Sequence, residues 1–335
     1  MFYPLSKIQL GVLTSELSNS GDGEYTIPVI FSLEEDTNIP LLKKALENAV
    51  DAHPMIKAGF LFDDEGNPVF EDRGDEPALV TESVFPDEAA FFSHIKETPD
   101  FQTSPLYRIE ICRVPDKYYL FICFHHLISD GFSLAIFLND IAAAYDGKEI
   151  EAEKISGFEL NMQEYSERET QQYEDDKDYY YSAFSAASDC PTMPLPDKYG
   201  DPEEHFSEYS RIIDIDDGVL ASACEKLKTT EARIFTAAYG LTLSKFTCSD
   251  EVLFSTFFHG RNDRRTDRTF TMLVRTMPFY QNFKGVESVS DLLDQTAKQL
   301  KETRSHRLFS YSEVCEQLGL NIESHFIYHG NLHSP

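Results

Sequence analysis

Basic side chains are scarce in this 335-residue chain: 29 lysines and arginines stand against 58 aspartates and glutamates, a formal charge of −29. A field of that sign repels phosphate backbones, so nucleic acid is not an expected partner. Long apolar runs are lacking too. No stretch approaches the ~18 consecutive apolar residues of a membrane span. The start, "MFYPLSKIQLGVL", has no basic segment followed by an apolar core and a small-residue cleavage site. Neither a membrane nor a secretory route is therefore expected. The six cysteines, at 112, 123, 190, 224, 248 and 315, form no CxxC pair, and Cys123 sits inside an apolar run. Free thiols in a reducing compartment, the cytoplasm, fit better than a disulfide framework. The chain also lacks HExxH, a cysteine-rich cluster and GxSxG, which leaves zinc hydrolysis and a serine nucleophile without support.

What is present is hydrophobic patterning of mixed α/β type. Leu5, Ile8 and Val12 share a helical face, as do Leu42, Ala45, Leu46 and Ala49 before Pro54. "EYTIPVIFSLE" reads as a strand, and "MIKAGFLFDDEGNPVFED" as a hairpin turned by Asp-Glu-Gly-Asn-Pro. "LYRIEICRVPDKYYLFICFHH" is a second hairpin, whose 118–125 strand is apolar on both faces and so expected to be central and covered. A helix "GFSLAIFLNDIAAAYDG" follows and closes at Gly147. From 161 to 184 the chain is acidic, tyrosine-rich and without an apolar stripe, and a proline-rich segment comes next. We place a boundary there, giving lobes at 1–168 and 169–335. The second half repeats the style of the first: helices in "GVLASACEKLKTT", "EARIFTAAYGLTLSKF" and "VSDLLDQTAKQLKET", strands in "EVLFSTFFHG", "FTMLVRTMPFYQNF" and "SHFIYHGNL".

The chemistry concentrates in "FICFHHLISDGFSLAIF" at 121–137. Side chains alternate along a strand, so His125 and His126 would point oppositely and could not easily grip one metal ion. No metal site is expected. One histidine can face a cavity while the other packs. Asp130 could orient an imidazole, as in a triad, or turn away and pair with an arginine. Gly131 frees the backbone to approach a ligand or start the helix. A histidine near its solution value of about 6.5 suits general-base work, with a substrate nucleophile attacking directly.

"HHLISDG" matches the HHxxxDG signature of nonribosomal peptide synthetase condensation domains, within the chloramphenicol-acetyltransferase-like acyltransferases. Other segments resemble the family in order. "LSKIQLGVL" resembles SxAQxRLWxL, keeping Ser6, Gln9 and Leu10. "AHPMIKAGF" resembles RHExLRTxF, keeping His53 and Phe60, with Lys57 for the usual arginine. "MQEYS" echoes YxDYA. "HGRNDRR" with "MLVRTMP" resembles GR…FVNTLP, keeping Gly260, Arg261, Val274, Thr276 and Pro278, with Arg275 for the usual asparagine. "HRLFSYS" stands where HQDYPFE is expected.

The resemblance implies two chloramphenicol-acetyltransferase-like lobes of α+β sandwich type in a V, with a tunnel between them and the second lobe cut short at its C-terminal end. It implies amide-bond formation between a donor thioester on a carrier protein's phosphopantetheine and an amine acceptor. No cofactor is intrinsic to such a domain. Its partners are donor and acceptor carrier proteins or neighbouring synthetase domains. His126 would deprotonate the amine or steady the tetrahedral intermediate, and the backbone N–H near Gly131 would help hold the oxyanion. His125, Asp130 and Arg261 would be structural, with Asp130 paired to Arg261. Ser133, Arg275 and Asn331 would lie along the substrate path. The alternatives are a free-standing acyltransferase using acyl-CoA, an epimerisation domain, and a non-catalytic carrier-binding module. The arginines at 264, 265 and 268 read as a solvated loop balanced by Asp263 and Asp267.

Overall fold

The computed structural model describes residues 1–18, 25–97, 105–194 and 209–330. The chain divides into two compact units: Met1–Thr170 with His259–Val274, and Gln171–Phe258 with Arg275–Pro335.

In the first unit the order is β1 (Phe2–Pro4), α1 (Lys7–Ser18), β2 (Thr26–Ser32), α2 (Ile39–Ala52), β3 (Ala58–Phe62), β4 (Pro68–Asp72), β5 (Val80–Val84), α3 (Glu88–His94), β6 (Tyr107–Val114), β7 (Lys117–His125), α4 (Gly131–Tyr145) and α5 (Gly157–Glu167). A sheet in the order β2-β7-β6-β5 carries the His125–Gly131 turn, and β1-β4-β3 forms a small second sheet. β7 lies between antiparallel neighbours, Thr26 opposite His125 and Tyr107 opposite Phe124. Its alternating side chains explain its doubly apolar composition. Ile122 and Phe124 join the main core with Leu46, Val50, Phe137 and Phe270, while Phe121 and Cys123 pack with Phe91, Cys112 and Tyr119 beneath α3. Fully burying one such side chain contributes about 1.5–3 kcal/mol, so the strand and the turn beyond it are firmly seated. α2 starts at the Asn38 cap, buries Leu42, Ala45, Leu46, Ala49 and Val50, and packs against α4.

The second unit holds α6 (Gln171–Phe184), α7 (Asp217–Leu227), α8 (Glu231–Thr247), β8 (Glu251–Phe258), β9 (Arg275–Asn282), α9 (Val289–Ser305), α10 (Tyr311–Leu318) and β10 (His325–Phe326), with sheet order β10-β8-β9. Its buried residues fall into smaller clusters, one around Phe184, Leu253 and Phe309 and another around Leu243, Phe254 and Phe279.

Three expectations change. The run "FTMLVRTMPFYQNF" is not one strand: β9 begins only at Arg275, and Phe270 and Met272 are apolar because they enter the first unit's core. The segment His259–Val274, placed by the sequence reading in the second half, accordingly belongs to the first unit. Its two ends meet: Gly260 has φ +71°, and a Cβ there would stand 1.8 Å from the Leu273 carbonyl oxygen, so only glycine fits. The final strand also shrinks to two residues paired in parallel with β8.

Candidate active site

β7 ends at His125, and His126 opens the turn that leads to α4. Hydrogen bonds hold this turn from several sides. The His126 N–H donates to the Tyr25 carbonyl (2.7 Å), and the Ile128 N–H donates to the His125 carbonyl (3.1 Å). The Leu127 N–H donates to His125 Nδ1 (3.0 Å), and the Ser129 hydroxyl donates to the His125 carbonyl (3.1 Å). Gln9 of α1, fully buried, donates from Nε2 to the Leu127 carbonyl (2.8 Å) and accepts at Oε1 from Asn161 of α5 (2.8 Å). Sequence reading kept Gln9 only as part of a motif; its work is to pin the turn.

The two histidines have different jobs. His125 Nδ1 accepts a hydrogen bond, so that nitrogen carries no proton. Burial, with the neighbouring His126 imidazole adding to it, pushes its value down to about 4. It is a neutral, packed side chain at pH 7. His126 is half-buried, and its Nδ1 faces the Ser129 carbonyl at 3.1 Å. A carbonyl only accepts, so Nδ1 holds the proton and Nε2 presents a lone pair. No group among the described residues bonds Nε2. Burial lowers the His126 value, partly offset by the Ser129 carbonyl and the Asp130 charge, so the free base predominates at neutral pH. A neutral imidazole with a fixed tautomer and an open Nε2 can take a proton from a nucleophile.

Asp130 does not hydrogen-bond His126. Its carboxylate caps α4, Oδ1 accepting from the Ser133 N–H (2.8 Å) with the Ser133 hydroxyl at 2.9 Å. Oδ2 accepts from Arg261 Nη1 (2.9 Å) and from the N–H groups of Leu273 (2.9 Å) and Val274 (3.1 Å). Burial raises the Asp130 value, but the Arg261 charge and these donors outweigh it, so the carboxyl lies below its ordinary range. Arg261, itself buried, also reaches the Ser133 hydroxyl (2.9 Å) and the Thr271 carbonyl (3.2 Å), and lies over the Phe132 ring at 4.7 Å. Asp130, Ser133 and Arg261 thus form one knot tying the His259–Val274 segment to the start of α4.

That knot changes the reading of Ser133. It was expected along the substrate path, but it is fully buried and its hydroxyl lies among Asp130, Arg261 and the Thr271 carbonyl. It serves the knot and presents no surface to a substrate. Arg275 lies in the second unit, where Nη1 donates to the Arg307 carbonyl. Asn331 lies outside the described residues. Gly131 is the first residue of α4 and is exposed, and a Cβ there would meet nothing within 4 Å. Its backbone N–H belongs to the first turn of the helix, which has no intrahelical acceptor and carries the positive end of the helix dipole.

A second buried cluster was not foreseen. His53, at the end of α2, lies between Glu153 (Nδ1 to Oε1, 2.7 Å) and Asp140 of α4 (Nε2 to Oδ2, 2.9 Å). Arg268 pairs with the other Asp140 oxygen, so it is not the solvated loop residue expected; Arg265, paired with Asp263 at 2.6 Å on the surface, is. No group of three or more metal-ligating side chains that could hold an ion occurs among the described residues. None of the described helices is long and apolar enough to cross a membrane.

The family model for the condensation domain matches residues 1–327. Surfactin synthase subunit 1 of Bacillus subtilis (strain 168) is 26% identical over 330 residues, which is 95% of this chain but only 9% of that protein. The first condensation domain of the calcium-dependent antibiotic synthetase, solved in complex with a substrate analogue, is similar with a TM-score of 0.77 at 19% identity, over 98% of this chain and 80% of that one. The starter condensation domain of rhizomide synthetase, solved as a mutant in complex with C8-CoA, is similar with a TM-score of 0.76 at 16% identity, over 98% and 77%.

Proposed function

Since this chain belongs to the condensation-domain family, whose members are acyltransferases that form peptide bonds in nonribosomal peptide synthetases, we propose that it joins a carrier-bound acyl thioester to an amine with His126 as the base. The observation that carries this reading is the Ser129 carbonyl on Nδ1, which leaves Nε2 as the basic nitrogen. The amine nitrogen attacks the thioester carbonyl carbon, and Nε2 takes the proton the nitrogen sheds. The tetrahedral intermediate collapses, the C–S bond breaks, and the departing phosphopantetheine thiolate takes the proton back from Nε2, which restores the neutral imidazole. The Gly131 N–H, at the positive end of α4, would support the oxyanion. Carrier proteins and neighbouring synthetase domains are the partners, and the phosphopantetheine arm belongs to them. Free cysteines such as buried Cys112, whose thiol burial pushes up to about 12, suit a reducing cytoplasm.

The test compares wild type with His126→Ala in a product assay with one acyl group on a carrier protein. The variant should fold normally and lose about a hundredfold or more in rate. Full activity of the alanine variant would remove His126 from the reaction.

A second reading has acyl-CoA as donor, and the C8-CoA bound by the rhizomide neighbour favours testing it. Against it, Arg261, Arg265 and Arg268 of the arginine-rich segment are already held by carboxylates, which leaves few cations for a triply phosphorylated nucleotide. Equal turnover from the carrier-bound and coenzyme A forms of one acyl group would support this second reading.

A further inference from the structure

His53 is fully buried and both its ring nitrogens face carboxylate oxygens. A neutral imidazole has one N–H and one lone pair, so it could satisfy only one of them. With both carboxylates ionised, the arrangement is complete only with the imidazolium, which donates to both. The groups facing this charge are Asp140 from α4, Glu153 from the loop after it, and Arg268 from the His259–Val274 segment, whose Nε also donates to the Glu151 carbonyl at 3.2 Å. The exposed Glu151 carboxylate also stands 3.9 Å from the Arg268 Nε, so His53 and Arg268 face three carboxylates, two of them buried. Glu153 Oε1 also accepts the Phe270 N–H (2.8 Å), and the Phe270 ring lies 5.5 Å from the imidazole.

We propose that His53 is a positioning residue for the acyl transfer: bridging Asp140 and Glu153 as an imidazolium, it locks Arg268 and Phe270 onto the first unit and so keeps Leu273, Val274 and Arg261 on the Asp130 carboxylate beside the His126 turn. The chain of contact is short. Phe270 is held by Glu153, and Leu273 and Val274 are held by Asp130. Burial works against the charged ring, but the two carboxylates outweigh it and hold the His53 value above its ordinary range. The device is therefore closed below that value and opens as the pH rises through it. The inference rests on the acyl-transfer reading for its consequence, though not for its geometry.

The experiment is hydrogen exchange on the full chain, corrected for intrinsic rates, between about pH 6 and pH 9. Wild type should protect the 268–274 backbone at the lower pH and lose that protection as pH rises. His53→Gln should expose it about tenfold or more at both ends, without pH dependence. Adding Glu153→Gln to His53→Gln removes one charge of each sign and should restore much of the protection, which a role in packing alone would not do. Wild-type protection in His53→Gln across the range would overturn the proposal. Should that variant fail to fold, nitrogen NMR of histidine-labelled wild type decides: both ring nitrogens of His53 protonated near pH 6 supports the device, and a neutral ring there, with the proton on a carboxyl, refutes it. In the carrier assay, the alkaline limb of the rate should disappear in His53→Gln/Glu153→Gln; a limb that persists removes the link to catalysis. The expected exchange pattern in a chain that transfers no acyl group would leave the lock standing and refute the acyl-transfer reading.

Discussion

Two buried histidines close two elements of the first unit, and their surroundings shift them in opposite directions. His53 follows α2 and His125 ends β7; their exposures are 0% and 5%. Burial disfavours the imidazolium in both. At His53 it loses to two carboxylates. At His125 it prevails: the ring meets a backbone N–H and another imidazole, and its value falls to about 4. Burial alone therefore does not decide the charge of a side chain in this interior. The partner does: for His53 it comes from α4 and the loop after it, and for His125 from the turn that follows the ring itself.

The largest expected effect pushes that comparison to a carboxylate. Asp130 is as buried as either histidine, yet it is held ionised by Arg261 and by backbone donors from two elements. Asp130→Ala strands the guanidinium and uncaps α4, and should cost about 3–5 kcal/mol. Because the folded carboxyl lies below its unfolded value, this stability is present above the unfolded value and is lost as pH falls through the folded one. Denaturant titration of the variant at neutral pH measures it, and a loss under about 1 kcal/mol would mean that the knot is not a structural unit.

His125 gives the next effect, confined to acid. Above about pH 6.5 the ring is neutral in both folded and unfolded chains, and stability is full. As pH falls, the unfolded chain takes up a proton that the folded chain refuses until about pH 4. Over that window His125 should remove about 3 kcal/mol. His125→Gln keeps an acceptor for the Leu127 N–H but does not titrate, so its acid limb should be flatter than that of wild type. Parallel limbs for the two proteins would show that the ring titrates normally, and that contacts rather than burial set its state. His53 works in the other direction: its contribution is full below the unfolded histidine value and is lost on the alkaline side, so the two variants should alter opposite limbs.

Much of this arrangement can be read from the chain, where the signal is local. β7 announces itself because Phe121 and Cys123 serve one face and Ile122 and Phe124 the other. α2 follows from the spacing of Leu42, Ala45, Leu46 and Ala49, and the motif at His125–Gly131 follows from residue types at short separations. Short elements with little buried surface, such as β5 and α3, give no comparable pattern. The 270–283 run misleads because its apolar residues answer to two different units: Phe270 and Met272 to the core of the first, Met277 and Phe279 to a strand of the second. The His53 cluster was illegible for another reason. Asp140 and Glu153 stand 87 and 100 residues away in sequence, and nothing in the composition of α2 points to them.

The smallest effect separates two arginines that look alike in sequence. Arg265 and Arg268 both lie in "GRNDRRTDR", each close to an aspartate. Arg265 is paired with Asp263 two residues away, with about half of each side chain exposed, so water and salt screen the pair. Arg265→Ala should change stability by no more than about 0.5 kcal/mol. Arg268 reaches Asp140, whose side chain is 5% exposed, and its loss leaves that carboxylate facing His53 alone. Because Arg268 keeps a quarter of its own surface in water, water can replace part of what it supplies. Arg268→Ala should therefore cost an intermediate amount, about 1–2 kcal/mol. It should also raise the alkaline midpoint of His53, since removing one cation from beside the imidazolium favours the remaining one. Thermal melts of both variants across pH measure the two effects together. Equal, negligible losses with an unmoved alkaline midpoint would place Arg268 on the solvated surface with Arg265, and the buried cluster would then consist of His53 and its two carboxylates alone.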